Sequence, residues 1–251
     1  MSTVGGILKS RGARLTFLRG AMIIALPMCA SLQSQSALPK NNLDYPVLIR
    51  HARGMGSGFF VGGDSFWYLV TAGHVIFADT APYVLKAAEA EISGYQEGRR
   101  YVLQVNLKAL ERDGLVKEDP SHQIAVAVLG RVRPTYVVWY APYLKRVDTG
   151  SAQITTTSRS ALRTYSQALI GNDVYVFGYP RSIGLRAVPQ IDYDRPLLHK
   201  GIVAGKNPEK KTIILDVPAY PGNSGGPVVE IEETEALNVQ KFVENVQFLV
   251  E

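Results

Sequence analysis

The chain has 251 residues, of which 46% are hydrophobic and 20% are charged, so it can bury a normal core and has neither a disordered nor a fibrous composition. Its 23 glycines and 14 prolines disfavour an all-helical fold. The formal charge of +5 at pH 7 comes mainly from a basic N-terminal segment and therefore indicates no nucleic-acid partner.

The N-terminal segment has the pattern of a secretory signal peptide. It carries four basic residues and no acidic one, at Lys9, Arg11, Arg14 and Arg19. The apolar run that follows, Ala21–Leu32, is about half as long as the roughly 20 residues that span a bilayer. We predict a signal peptide over residues 1–37 and a secreted or periplasmic mature chain over residues 38–251, with an uncleaved anchor or a wrongly assigned start codon as the alternative. Removing the four positive charges leaves about +1 of the formal +5.

From Tyr45 onward, short runs of β-branched and aromatic residues alternate with turn residues, as is typical of strands. The first half contains the runs Val47–Arg50, Gly58–Val61, Trp67–Thr71, Tyr101–Leu107 and Gln123–Leu129. The second half contains the runs Val174–Phe177, Gly201–Ala204, Thr212–Val217 and Gly226–Val229. One segment, Ala87–Glu91, instead predicts a helical turn. Many short strands at close spacing favour a β-sandwich or β-barrel over alternating strand–helix units.

The segment 131–166 is richer in Pro, Tyr, Ser and Thr than its surroundings and has weaker periodicity. We place a linker there. It divides the mature chain into a first β unit over about residues 45–130 and a second over about residues 167–251.

The hexapeptide Gly222–Pro227 is a candidate nucleophile turn, with Ser224 between glycines. Glycine allows a tight turn that exposes the serine Oγ while neighbouring N–H groups converge, which is what an acyl-transfer nucleophile requires. An ordinary Gly/Asn/Ser turn, common in β proteins, is the alternative.

The positions of the histidines relative to Ser224 indicate which class of serine hydrolase the sequence is compatible with. All four, His51, His74, His122 and His199, precede Ser224. This order excludes the α/β-hydrolase arrangement, in which the acid and the histidine follow the nucleophile. It is the order of chymotrypsin-type enzymes. His74 directly follows an apolar strand among small residues and is the preferred base, with His122 as its rival.

Five segments resemble, in this order, the trypsin-like peptidases of bacteria: Gly56–Val61, Thr71–Val75, Gly178–Pro180, Lys200–Val203 and Pro221–Val228. The resemblance covers roughly residues 45–250 and implies an all-β, chymotrypsin-like fold of two packed antiparallel β-barrels. It also implies a catalytic site in the cleft between the barrels, with an oxyanion hole formed by the backbone N–H groups of Gly222 and Ser224. The reaction requires no cofactor.

The third member of the catalytic triad departs from this family. Where the family has an aspartate, before the strand that begins at Ile124, this sequence has Gln123. An amide can orient a histidine but does not stabilise the imidazolium by charge. Three possibilities stay open: Asp119 takes the role, Gln123 acts as a weak orienting group, or the protein binds without cutting.

The resemblance also bears on the substrate pocket and on the C-terminus. Pro218 stands where lysine- and arginine-specific members have an aspartate, and Ala219 follows it, so we expect a small or apolar residue before the scissile bond. Phe248–Glu251 is similar to the start of the strand that pairs with Gly226–Val229. The resemblance implies a further wall of the specificity pocket, a last strand and a terminal helix beyond this point. We therefore expect a second barrel that is either incomplete or closed by another segment.

Metal chemistry has no support in the sequence. The single cysteine, Cys29, lies in the predicted signal peptide, and no His-x-x-x-His pair is present. The sequence therefore predicts a secreted serine endopeptidase that acts on protein or peptide substrates without metal or cofactor, through Ser224 and His74. A secreted binding or scaffold protein on the same fold is the alternative. The sequence does not predict an oligomeric state.

Overall fold

The computed structural model describes residue 38 and residues 41–78, 81–132, 137–139, 143–148, 154–180, 192–232, 239–243 and 246–248. All of them belong to the compact unit 36–251. The predicted signal peptide and Cys29 lie outside the described residues, so export stays a prediction. In the part of the chain that is described, no helix is long and apolar enough to cross a membrane.

The described part of the chain consists largely of strands. In its first half these are β1 (Pro46–His51), β2 (Gly54–Gly62), β3 (Phe66–Ala72), β4 (Phe77–Ala78), β5 (Ala81–Leu85), β6 (Glu89–Gln96), β7 (Arg99–Asn106), β8 (Val116–Asp119) and β9 (Ile124–Val132). They are followed by β10 (Val137–Trp139), β11 (Leu144–Asp148), β12 (Thr157–Ser158), β13 (Leu162–Arg163), β14 (Asp173–Gly178), β15 (Leu197–Asn207), β16 (Thr212–Asp216), β17 (Val228–Glu232), β18 (Val239–Val243) and β19 (Val246–Phe248). The helices are short: α1 (Gly73–Ile76), α2 (Leu107–Arg112) and 3-10 turns at Asn42–Asp44 and Arg159–Ala161.

Two large sheets organise these strands. The first has the order β10-β9-β3-β2-β1-β6-β7-β11, with β8 paired to β9 and β12 paired to β2. The second has the order β13-β18-β17-β14-β15-β16-β19, and β4 and β5 form a separate pair. The predicted all-β, chymotrypsin-like fold is confirmed, although the pairings of the described residues leave both sheets open at their ends. The chain passes from the first sheet to the second at Arg159–Ala161.

Each sheet has its own apolar core because its strands alternate. In β3, Trp67 and Leu69 are buried, whereas Tyr68 and Val70 on the opposite face are only partly buried. The first core therefore collects inward side chains of the first sheet, and a second core around Val174 and Val203 does the same for the second sheet. The outward face of β3 is left to form a wall of the cleft described below.

The structure corrects several local expectations. Ala87–Glu91 is not a helical turn: β6 begins at Glu89, and Ala90 and Ile92 point into the first core with the alternation of a strand. Leu107 begins α2 instead of ending β7, because the Asn106 side chain caps the helix by accepting a hydrogen bond from Ala109 N at 3.0 Å.

Two strand ends also differ from expectation. Gln123 precedes β9, and Gly226 and Pro227 precede β17, so the residues of interest lie in loops. The partners of β17 are β14 and β18, whereas Phe248 belongs to β19, which runs parallel to β16.

Candidate active site

A cleft of about 1130 Å³ brings together the residues that the sequence singled out. One wall consists of the outward faces of β2, β3 and β9, and the other includes the loop residues 219–221 and 223–226. His74, Gln123 and Ser224 all line it, and so does the rival base His122. The structure therefore places the proposed nucleophile and both candidate bases in one cavity.

His74 is carried by α1, the single helical turn that follows β3 directly. The turn is tied to the next loop because Gly73 N donates to the Gln123 carbonyl at 2.5 Å. The turn is also tied to the residue that follows β5, because Lys86 Nζ donates to the His74 carbonyl at 2.5 Å. The small residues before His74 have a packing reason: a Cβ at Gly73 would lie 2.8 Å from Glu118 Oε1.

Ser224 lies in a tight loop between β16 and β17. Asn223 N donates to the Tyr220 carbonyl at 3.0 Å, and Gly226 N donates to the Asn223 carbonyl at 2.9 Å. Gly222 and Gly225 both have positive φ, of 101° and 83°, which a residue with a Cβ rarely adopts. The glycines that flank Ser224 are thus required by the backbone of the loop.

Two backbone donors of this loop are free. Among the described residues, neither Gly222 N nor Ser224 N donates a hydrogen bond within the protein. Both residues are only partly buried, and Ser224 lines the cleft. Free N–H groups beside a candidate nucleophile suit the developing oxyanion of acyl transfer.

Ser57 and Thr71, which the sequence did not single out, join the first sheet to the nucleophile loop. Ser57 N donates to the Ser224 carbonyl at 2.9 Å, and Ser57 Oγ donates to the Gly222 carbonyl at 2.6 Å. Thr71 Oγ1 donates to the Ser57 carbonyl at 2.6 Å. The signal in the sequence that could have identified these two residues is their position in the motifs Gly56–Val61 and Thr71–Val75.

Gln123 and Asp119 are the two candidates that the sequence offered for the third member of the triad. Gln123 is exposed at the cleft and has a φ of 56°. The exposed Asp119 carboxylate contacts His122 Nδ1 at 2.7 Å and accepts from Ser121 N at 3.0 Å. Hydrogen bonds from Ser121 and His122 hold the pKa of Asp119 at about 2, below its ordinary 3.8. Asp119 and His122 therefore form a contact with each other.

The remaining two histidines lie outside the lining of the cleft. His51 Nε2 contacts the Val75 carbonyl at 2.8 Å, and burial lowers the pKa of its ring. Burial likewise lowers the pKa of His199, whose ring lies 5.3 Å from that of Tyr220.

The two predicted specificity residues differ in position. Ala219 lines the cleft, whereas Pro218 is exposed and is absent from the described lining. Tyr220 and Pro221 continue the wall toward Ser224, so this part of the cleft carries no charge. Within the described ranges, no three His, Cys, Asp or Glu side chains are grouped as metal ligands.

Comparison with known proteins agrees with the geometry. A family model described as the trypsin-like peptidase domain matches residues 56–237, which is most of the chain. No curated protein matches the sequence.

Several solved structures match part of the chain. Deg5 is 20% identical with a TM-score of 0.47, and the match covers 76% of each chain. The HtrA-type protease AlgW, with a tripeptide, is 16% identical with a TM-score of 0.43, over 75% of this chain and 48% of its own. Rv3671c of M. tuberculosis H37Rv, an inactive serine-to-alanine mutant, is 16% identical with a TM-score of 0.37, over 79% of this chain and 80% of its own.

Proposed function

Because the chain belongs to the trypsin-like peptidase family and is a serine-type endopeptidase, we propose that it hydrolyses peptide bonds through an acyl-enzyme on Ser224, with His74 as general base. The observation that carries this proposal is that His74 and Ser224 line one cleft, while the N–H groups of Gly222 and Ser224 have no acceptor within the described protein.

The reaction takes two steps. Ser224 Oγ attacks the scissile carbonyl carbon while His74 accepts its proton, and the Gly222 and Ser224 N–H groups hold the negative oxygen of the tetrahedral intermediate. The intermediate collapses, the C–N bond breaks, and His74 returns the proton to the leaving amine. Water then attacks the acyl-enzyme by the same route and releases the second product.

Gln123 sets the expected rate. The amide is neutral, so it does not stabilise the imidazolium that forms on His74, and we propose an enzyme that is slow for its family. The same observation favours a second candidate, a protein that holds peptides in the cleft without cutting them. The intact oxyanion loop favours the enzyme, since binding alone has no physical need for a serine at that turn.

The preferred substrate is a protein or peptide with a small or apolar residue before the scissile bond. The uncharged wall formed by Ala219, Tyr220 and Pro221 beside Ser224 supports this proposal, because a lysine or arginine side chain would find no carboxylate on it.

Hydrolysis of β-casein by the mature chain tests the proposed function. We expect slow, measurable cleavage by the wild type and a loss of at least about 10³-fold in Ser224→Ala and His74→Ala. Ser65→Ala is the matched control, because Ser65 is an exposed serine that lines the same cleft. Equal cleavage by all four proteins would point to a contaminant, and none by the folded wild type would leave the binding function.

A further inference from the structure

Ser57 is a fully buried serine on β2, 0% exposed, that lies against the nucleophile loop of the other sheet. Its hydroxyl makes two hydrogen bonds: it donates to the Gly222 carbonyl at 2.6 Å and accepts from Tyr179 N at 2.9 Å. Its backbone N–H donates to the Ser224 carbonyl at 2.9 Å. One residue therefore contacts the loop on both sides of Asn223.

The two loop carbonyls belong to peptide groups that matter for the oxyanion donors. The carbonyl of Gly222 lies in the peptide that follows the Gly222 N–H along the chain. The carbonyl of Ser224 lies in the peptide that follows the Ser224 N–H. Each hydrogen bond holds a carbonyl group whose carbon is bonded to the Cα of Gly222 or Ser224, and the donor nitrogen is bonded to that same Cα. The two bonds therefore restrain the loop backbone directly beside each donor.

The loop needs such a restraint. Gly222 has no Cβ and a φ of 101°, so its own backbone offers little resistance to rotation. Asn223 is buried, 1% exposed, yet its side-chain Oδ1 and Nδ2 have no hydrogen-bond partner among the described residues. The residue between the two donors therefore has no side-chain anchor there.

Ser57 is itself held in place. Thr71 Oγ1 donates to the Ser57 carbonyl at 2.6 Å, and Thr71 is also buried. The fit is close, since a Cβ at Gly178 would lie 2.9 Å from Ser57 Oγ. A hydroxyl in a fixed, dry position donates with a well-defined direction.

From this geometry we infer that Ser57 is a positioning residue, whose hydroxyl holds the Gly222 carbonyl and thereby keeps the nucleophile loop and its oxyanion donors in one conformation. The inference rests on the proposed function of Ser224. It also makes the alignment of the oxyanion hole dependent on the packing of the first sheet against the loop.

The consequence for catalysis is selective. Misdirected oxyanion donors weaken binding of the tetrahedral transition state more than binding of the planar substrate. Loss of the Ser57 hydroxyl therefore lowers kcat and leaves KM nearly unchanged.

The test compares Ser57→Ala with the wild type and with Ser93→Ala, the same change at another buried serine of the first sheet. We measure kcat and KM on one peptide, the inhibition constant of a matching peptide boronate, which forms a tetrahedral adduct, and the midpoint of urea unfolding. For Ser57→Ala we expect kcat to fall about 10- to 100-fold, less than the loss of an oxyanion donor itself, and boronate affinity to fall in parallel. KM stays within about threefold, and Ser93→Ala keeps the kcat of the wild type.

Unchanged kcat in folded Ser57→Ala, or a fall matched by Ser93→Ala at the same unfolding midpoint, overturns the inference while the proposed function stands. A wild type that neither cleaves the peptide nor binds the boronate overturns the proposed function instead. If Ser57→Ala does not fold, Ser57→Cys replaces it, since a thiol is close in size and a weaker donor. Full kcat in that variant contradicts the inference, and the same selective loss supports it.

Discussion

Replacing Gln123 with aspartate is expected to raise kcat by about 10²- to 10⁴-fold, the upper figure being the loss that follows replacement of the aspartate by asparagine in a Ser-His-Asp enzyme. A carboxylate at this position would stabilise the imidazolium on His74 as Ser224 attacks. The backbone accepts the change, because Gln123 has a φ of 56° and aspartate adopts positive φ more readily than glutamine does. Steady-state kinetics on one peptide substrate provide the measurement.

Gln123→Asn is the matched control, because asparagine has the size of aspartate and lacks its charge. We expect the asparagine variant to stay close to the wild-type rate. Equal gains in both variants would assign the effect to side-chain length. No gain in either, with a working Ser224, would mean that another carboxylate already serves His74, and Glu118, beside Gly73, would be the first to replace.

Gly225→Ala is expected to abolish activity and to lower the free energy of unfolding by several kcal/mol. A Cβ at this position would lie 2.3 Å from Thr71 Oγ1 and 2.4 Å from the Ser57 carbonyl, so the loop and β2 could not approach as they do. Overpacking of this kind typically costs about 1–3 kcal/mol, and a Cβ at a φ of 83° adds about 1–2 kcal/mol. Urea unfolding and peptide hydrolysis measure the two effects.

The variant Gly98→Ala separates the effect of backbone strain from the effect of overpacking. Gly98 has a similar φ of 78°, but a Cβ there would meet nothing within 4 Å. This control variant therefore carries the backbone strain alone and should keep full activity with a smaller loss of stability. Equal losses in both variants would mean that the close approach at Gly225 contributes nothing.

Much of the fold could be predicted from the sequence because its strands alternate clearly. Trp67–Thr71 alternates between the core and the cleft, and the predicted run was found almost unchanged as β3. The helical turn predicted for Ala87–Glu91 was wrong for a physical reason. Alanine and glutamate favour helix in isolation, but burial of Ala90 and Ile92 in the first core overrides that preference.

The candidate site was predictable in part. Ser224 and His74 could be proposed because glycines surround the serine and the order of residues excluded the other hydrolase type, and the structure places both residues in the lining of one cleft. The role of Ser57 could not be predicted, because it depends on contacts with the carbonyls of Gly222 and Ser224. Gly222, which accepts the hydrogen bond from the Ser57 hydroxyl, lies 165 positions further along the chain. The mutual engagement of Asp119 and His122 is likewise a matter of loop geometry.

The central claim is that Ser224 and His74 work as a nucleophile and base without an aspartate at position 123. Reaction of the mature protein with a fluorophosphonate probe, followed by mass spectrometry of the labelled peptide, tests it most directly. The proposal predicts one adduct, on Ser224, that is absent from Ser224→Ala, strongly slowed in His74→Ala and lost on denaturation. A folded wild type that stays unlabelled, or labelling that persists in Ser224→Ala, would contradict it.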